Sequence, residues 1–189
     1  KTPLTVLRTG IERSLVHPGT PPEVLEALDT TLEQLNQLNE LVDSLLTLAR
    51  ADEGRAPLAL ATRDLRALVV DVGETAGMLA EQHGLTTQVS VPDHPVEVQV
   101  DPHRMHQLLL NLVTNAVKYT PAGGSVAVAL EDGEEGVRLV VRDTGIGIAS
   151  VDLPHIFDRF WRADPARSRT GDRPGVGLGL AITKWIAEA

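Results

Sequence analysis

The sequence predicts an α+β protein in which a helical hairpin, half of a dimeric four-helix bundle, precedes an α/β sandwich. Three observations lead to this fold class. A leucine-rich pattern with helical spacing fills the first 50 residues, strand and helix patterns mix after residue 57, and a polar stretch separates the two parts. At 189 residues, the chain is long enough for two small domains.

Apolar residues at helical spacing predict two N-terminal helices. The first is marked by Leu4, Leu7, Ile11 and Leu15. A breaker cluster at 17–22 ends it, and a seam of apolar residues three and four positions apart then runs from Leu25 to Ala49. Asn39 lies in this seam, where it either fixes the register or turns toward solvent. Because a lone hairpin buries little apolar surface, we expect a homodimer.

Capping and turn residues place the elements of the second part. Asp64 is the predicted N-cap of a helix that runs to about His83. Pro102 begins another helix, which stops before Pro121. A last helix is predicted at 180–187. The predicted strands are Leu58–Ala61, Leu85–Val91, Val96–Val100, and a hairpin of Val126–Leu130 and Val137–Val141.

Composition excludes several classes of function. The net charge of −9 argues against general nucleic-acid binding, which requires a basic surface. Because the chain has no cysteine, disulfide scaffolds and thiolate metal sites are excluded. No apolar run approaches the ~18 residues of a membrane helix. We therefore expect a soluble, cytoplasmic fragment, and whether a longer parent is anchored in the inner membrane stays open.

One face of the predicted 102–119 helix carries amides and a single cation. At 100° per residue, Asn111, Asn115 and Lys118 fall within about 60° of one another, with Tyr119 at the margin. Amide oxygens are hard ligands suited to Mg²⁺, which keeps several waters and bridges to substrate phosphates. A lysine one turn further can meet those phosphates as a point charge. The alternative is an ordinary solvated face.

Two glycine-rich turns carry further signals. The first comprises Asp143, Gly145, Gly147 and Ile148, and the second comprises Gly175, Gly177, Leu178 and Gly179. In the first, a carboxylate can accept a hydrogen bond from an exocyclic amine, while the glycines let a flat base approach the backbone. In the second, free N–H groups at a helix start form an anion site. Taken singly, the first turn also fits a hairpin or bulge, and the second fits a flexible loop.

A polar, arginine-rich segment separates the two glycine turns. Arg162 stands directly after the aromatic residues Phe160 and Trp161. Arginines in a mobile lid can meet phosphates, and we favour that reading for Arg162. For the remaining arginines a solvated loop explains the pattern equally well.

In this order and spacing, these segments resemble the catalytic region of a bacterial sensor histidine kinase. The resemblance implies a dimerisation and phosphotransfer hairpin at 1–50, a linker at 51–57, and an ATP-binding domain of the Bergerat type at 58–189. It implies an asparagine box of Asn111, Asn115, Lys118 and Tyr119, in which Asn115 and Asn111 are the candidate Mg²⁺ ligands. By the same resemblance, Asp143 reads the adenine amine, 157–162 is the phenylalanine box, and Gly175, Gly177 and Gly179 form the second glycine box.

The resemblance also implies a reaction. The γ-phosphoryl group of Mg·ATP passes to a histidine on the hairpin and then to an aspartate of a response-regulator receiver domain. In the family, that histidine lies four residues before the threonine that Thr2 matches, so it would precede residue 1. None of the six histidines present has the required context, and we expect no autophosphorylation of this fragment. Thr2 itself either orients a water for dephosphorylation or merely contacts the backbone. Further sheet strands are expected beyond Ala189.

Two rival readings remain. Hydrolytic relatives, such as gyrase-like topoisomerases and chaperone ATPases, share the ATP fold but place a glutamate one helical turn before the metal-binding asparagine. Asn111 occupies that position here, and an amide cannot act as a general base. The second rival is a dimerisation scaffold whose ATP site is degenerate.

Overall fold

The computed structural model describes residues 2–17, 19–52, 58–134, 136–162 and 176–189. The chain forms two compact units, Lys1–Asp52 and Glu53–Ala189. Among the described helices, none is both long and apolar enough to cross a membrane.

The first unit is a pair of helices in contact, α1 at Thr2–Leu15 and α2 at Pro22–Asp52. The turn between them is closed by Thr20, whose hydroxyl donates to Ser14 O at 2.8 Å and whose N–H donates to His17 O at 3.1 Å. Both helices agree with the predicted pattern, and Asn39 is half-buried. Helix α2 continues two residues past position 50, the predicted end of the hairpin. Of the predicted linker, residues 53–57 lie outside the described part of the chain.

The second unit contains two sheets and three α-helices among its described residues. In chain order its elements are β1 at Ala61–Asp64, α3 at Leu65–Gln82, β2 at Thr86–Ser90, β3 at Glu97–Val100, α4 at Pro102–Tyr119, β4 at Ser125–Gly133, β5 at Gly136–Asp143, a short 3-10 helix at Leu153–His155, and α5 at Gly179–Glu188. Strand β1 pairs antiparallel with β3. Strand β4 lies between β2, which is parallel to it, and β5, which is antiparallel. The β4–β5 hairpin confirms the prediction.

The predicted strand at Leu58–Ala61 is wrong, because the strand occupies Ala61–Asp64. Its register pairs Ala61 with Val100 and Asp64 with Glu97, so a partner distant in sequence sets its position. Leu60 is 57% exposed and does not enter the core. The backbone N–H of Ala59 donates to the carboxylate of Asp101 at 2.9 Å, outside any ladder.

Aspartates start both long helices of this unit. Asp64 caps α3 and accepts hydrogen bonds from the N–H groups of Arg66 and Val96, each at 3.1 Å. The Arg66 side chain, which bonds the same carboxylate, holds the pKa of Asp64 well below its ordinary value, with the backbone donors contributing. For Asp101, the cap of α4, burial acts to raise the pKa. The N–H donors of Ala59, Arg104 and His103 outweigh burial, and the net shift is downward.

The core of the unit lies between the helices and the three-stranded sheet. Helices α3 and α4 contact each other, and both contact β4. Burial alternates along β4, where Val126, Val128 and Leu130 are inside. Leu109 and Val113 of α4 are fully buried, which orients this helix by its apolar face. The polar face of α4 is thereby directed away from the core.

Candidate nucleotide-binding site

The amide stripe of α4 is a half-buried face. Asn111, Asn115 and Lys118 follow one another at intervals of four and three residues, and each is partly shielded from solvent. The Lys118 ammonium lies 5.5 Å from the centre of the Tyr119 ring. A face that is neither core nor fully solvated, and that carries amide and ammonium groups, suits a polar ligand.

Asn111 connects this stripe to the second glycine turn. Its Nδ2 donates to the backbone O of Gly179 at 3.1 Å, and the Thr183 hydroxyl donates to the same oxygen at 3.0 Å. A carbonyl oxygen only accepts, so the NH₂ group of the amide must face Gly179. The Asn111 Oδ1 is consequently the atom that remains to accept from, or coordinate, a ligand.

The first glycine turn lies against the C-terminal end of α4. The N–H of Ile146 donates to the backbone O of Tyr119 at 3.1 Å. A Cβ at Gly145 would come within 2.5 Å of that same oxygen, so any side chain here would force the turn away from the helix. Glycine at position 145 is therefore what allows this contact.

Asp143 stands at the exposed end of β5, at the start of this turn. Its Oδ1 accepts from the N–H of Gly145 at 2.8 Å, which orients the carboxylate and leaves Oδ2 for an approaching amine. Thr144 fixes the other side, since its Oγ1 accepts from the N–H of Ser125 at 2.9 Å and its own N–H donates to Ser125 O at 3.1 Å. The turn is thus bonded to β4 as well as to α4.

The remaining predicted site residues differ in their exposure, and some lie outside the described part of the chain. Ile148 is 52% exposed, and Gly147 has a left-handed φ of 69°. Arg162 is exposed, and Leu178 is buried at the N-cap of α5. Gly175 and the side chain of Thr2 lie outside the described residues. An open cavity of about 550 Å³ beside α1 is lined by none of these predicted residues.

Sequence reasoning missed three backbone features of the site. The Tyr119 carbonyl holds the first glycine turn, the Gly179 carbonyl holds Asn111, and Phe160 is bonded to Gly177. Backbone carbonyls carry no residue-type signal, so a sequence pattern does not reveal them. Thr144 had a signal, because a threonine hydroxyl within a turn commonly bonds nearby backbone.

The comparison with protein families follows the same division of the chain. Residues 100–189 match the family of histidine kinase-, DNA gyrase B-, and HSP90-like ATPases, and residues 1–54 match the His Kinase A (phospho-acceptor) domain. The fold and the site therefore define an ATP-binding domain preceded by a phospho-acceptor hairpin. The chain belongs to the sensor histidine kinases and is a catalytic, ATPase region of that family.

Individual relatives agree. Sensor histidine kinase MtrB of Mycolicibacterium paratuberculosis is 34% identical over 184 residues, which are 97% of this chain and 32% of MtrB. The crystal structure of full-length ShkA in complex with AMPPNP matches with a TM-score of 0.76 at 30% identity, covering 99% of this chain and 40% of ShkA. Acinetobacter baumannii histidine kinase AdeS matches with a TM-score of 0.65 at 28% identity, covering 98% of this chain and 83% of the AdeS chain. This chain thus spans about a third of the length of MtrB.

Proposed function

We propose that this region binds Mg·ATP and supplies the γ-phosphoryl group to a histidine of the helical hairpin, for relay to an aspartate of a response-regulator receiver domain. One observation carries the proposal. The polar stripe of a single helix, α4, is bonded at Asn111 to the second glycine turn and at Tyr119 to the first. Both turns are therefore available to the same ligand.

The donor set of the stripe fits magnesium. The described residues contain no cluster of histidine and carboxylate side chains that could hold a metal ion by itself. Magnesium commonly needs only one or two protein oxygens, because water and substrate phosphates complete its shell. We assign Asn115 and the Oδ1 of Asn111 to this role. When bound, the metal neutralises charge on the phosphates during transfer.

The remaining roles follow from chemistry at stated atoms. Lys118 meets the phosphates as a point charge, Asp143 Oδ2 accepts from the adenine amine, and Arg162 contacts phosphate. Asn111 offers no basic atom for activating water, which favours phosphoryl transfer over the hydrolysis of gyrase-like enzymes. For Thr2 we propose a part in dephosphorylating the regulator.

We further propose that the protein is a homodimer through the hairpin. Val6 and Leu7 on α1 are 65% and 56% exposed, and Leu46 on α2 is 43% exposed, so apolar surface remains for a second copy to cover. We also propose that the linker near 52–57 serves as the hinge between the hairpin and the ATP-binding domain. We propose a cytoplasmic location for this region, because the proposed reaction would consume ATP. One chain has a mass of 20.3 kDa. Light scattering on the purified protein should give twice that mass if it is a dimer.

Calorimetric titration with Mg·ATP tests nucleotide binding. Two further titrations serve as comparisons, one with ATP in the presence of excess chelator and one with Mg·GTP. We expect saturable binding of Mg·ATP that weakens on chelation. Binding also stabilises the folded state, by about 2.7 kcal/mol at a hundredfold excess over the dissociation constant. Trp161 and Trp185, the two tryptophans, lie in the second unit, so their fluorescence follows its melting. A degenerate scaffold would show neither heat of binding nor a change in Tm.

A further inference from the structure

Two residues with left-handed backbone meet where the aromatic segment crosses the start of the second glycine turn. Phe160 has a φ of 62° and Gly177 a φ of 77°. The N–H of Phe160 donates to Gly177 O at 2.9 Å. Among the residues that the structure describes, Phe160 alone of the non-glycine residues has a positive φ. We call the bonded pair Phe160 and Gly177 the backbone clamp.

A left-handed backbone is energetically unfavourable for a bulky residue. Such a residue keeps this conformation only where the surrounding structure enforces it. The Phe160 ring is 56% exposed, so burial of the ring does not enforce it. Backbone bonds surround the residue instead. Besides the bond to Gly177, the N–H of Trp161 donates to Asp158 O at 3.3 Å, and the N–H of Asp158 donates to His155 O at 2.8 Å.

Gly177 completes the clamp by its lack of a side chain. A Cβ there would lie 2.7 Å from Trp161 O and 2.9 Å from the carbonyl carbon of Phe160, closer than atoms tolerate. The two backbones therefore touch directly. A second contact joins the aromatic segment to α5, the helix that follows the second glycine turn: the Lys184 ammonium lies 6.0 Å from the centre of the Phe157 ring.

The residues after Gly177 lead straight into the site. Leu178 is 3% exposed, and its carbonyl accepts from the N–H of Ile182 as α5 begins. The next carbonyl, that of Gly179, is the acceptor for Asn111 Nδ2. The clamp is thus two residues away from the bond that orients the Asn111 amide.

We infer that the backbone clamp is a positioning device for the nucleotide site: the left-handed Phe160 holds the Gly177–Gly179 turn against Asn111 and so sets nucleotide affinity. This inference rests on the proposed nucleotide-binding function. Phe160 acts through its φ and its N–H, and the identity of its ring is secondary. The residue type matters only in so far as it tolerates a left-handed backbone.

Three substitutions separate backbone from side chain. Phe160→Asn removes the apolar ring but favours a left-handed backbone, and Phe160→Leu keeps an apolar side chain that has no branch at Cβ. Phe160→Val is also apolar, but its branched Cβ opposes a positive φ. We expect Phe160→Val to weaken Mg·ATP binding about fivefold or more, while the asparagine and leucine variants stay within about twofold of wild type. Gly177→Ala should weaken binding similarly, by breaking the clamp from the other side.

Calorimetric titration of Mg·ATP into the whole chain measures the affinities, and tryptophan-detected melting establishes that each variant is folded. The inference is rejected if affinity follows the apolar character of the side chain, so that the Phe160→Val variant binds Mg·ATP as tightly as Phe160→Leu and the Phe160→Asn variant binds weakly. In that case the side chain of Phe160, and not its backbone conformation, determines the affinity. Equal affinity in all variants also rejects the inference. Should Phe160→Val fail to fold, a weakened Phe160→Asn still overturns the inference. Failure of the wild type to bind Mg·ATP would instead refute the proposed function.

Discussion

Asn111 and Gly179 are 68 residues apart in sequence, yet the Asn111 side-chain amide donates a 3.1 Å hydrogen bond to the Gly179 carbonyl. At the other end of the stripe, the Tyr119 carbonyl accepts from Ile146 at 3.1 Å. Helix α4 is thus the common support of both glycine turns. A ligand that bridges the turns must pass along its polar face, where Asn115 and Lys118 lie between the two contacts.

Asn115→Ala removes an amide oxygen from the middle of this stripe. Alanine is the better helix former, so α4 should be retained. We expect the affinity for Mg·ATP to fall at least about tenfold, which corresponds to roughly 1.4 kcal/mol. Calorimetric titration measures the loss, and the residual binding should respond less to chelation of magnesium than wild-type binding does.

The matched control is Thr114→Ala at the neighbouring exposed position of α4, where the Thr114 hydroxyl bonds only backbone carbonyls of its own helix among the contacts described. This variant should bind Mg·ATP like wild type. An Asn115→Ala protein with unchanged, magnesium-dependent affinity would remove Asn115 from the site.

Asp143→Asn tests how the base is read. The variant keeps an oxygen to accept from the N–H of Gly145, but it replaces the second carboxylate oxygen with an NH₂ group. That group cannot accept from the adenine amine, whereas it can donate to the carbonyl of guanine. Affinity for ATP should fall about tenfold or more, as for loss of a hydrogen bond to a charged group. The ratio of ATP to GTP affinity should move toward GTP.

Asp132→Asn, at the far end of the same hairpin, removes an equal charge from a residue paired with His94. It should leave the ATP to GTP ratio unchanged. If both variants alter the ratio alike, general electrostatics and not contact with the base explains the effect.

Local signals in the sequence were sufficient for the helices of the second unit. Asp64 was predicted as a cap and Pro102 as the start of a helix, because both signals depend on residues within one turn. The end of α3 also follows from local sequence: the N–H of Gly84 donates to Glu81 O and that of Leu85 to Ala80 O, the bond pattern of a Schellman turn.

The same local signals could not predict which strands pair with each other when they are distant in sequence. The position of β1 depends on its register with β3, and the parallel pairing of β2 with β4 joins strands separated by α4. Likewise, the amide stripe of α4 was predictable from its 3.6-residue period, but the Phe160 conformation is imposed by a contact with Gly177. Residue types predict the candidate ligand-facing groups, whereas the tertiary contacts that hold these groups are visible only in the structure.

Asp64→Asn should reveal a pH-dependent part of the stability. The pKa of Asp64 is depressed in the folded state, first by the Arg66 side chain. A depressed carboxyl pKa stabilises the folded state at pH values above the ordinary pKa of 3.8, and that contribution is lost as pH falls. Tryptophan-detected denaturant unfolding should therefore find wild type more stable than Asp64→Asn at pH 7, with a gap that narrows below about pH 4.

Asp152→Asn serves as the comparison, since Asp152 precedes the 3-10 helix without a capping hydrogen bond from its side chain. Its stability should parallel that of wild type across the same pH range. A constant gap between wild type and Asp64→Asn down to pH 2 would contradict the role given to the ionised carboxylate.

The 189-residue chain should not label itself with γ-phosphate. Three of its histidines, His94, His106 and His155, are paired with aspartates of the ATP-binding unit. None of the six histidines lies in a His-Glu-x-x-Thr-Pro context, so incubation with γ-labelled ATP should leave no acid-labile label on the protein. Adding His, Glu and one further residue before Lys1 completes the His-Glu-x-x-Thr-Pro motif and should introduce labelling. Label on the unextended chain would disprove this expectation.

The most direct measurement is a crystal structure of the chain with Mg²⁺ and a non-hydrolysable ATP analogue. We expect phosphates beside Asn115 and Lys118, a magnesium ion coordinated by an asparagine amide oxygen, and the adenine amine within hydrogen-bonding distance of Asp143. A nucleotide bound elsewhere, or one that leaves the polar face of α4 uncontacted, would contradict this expectation.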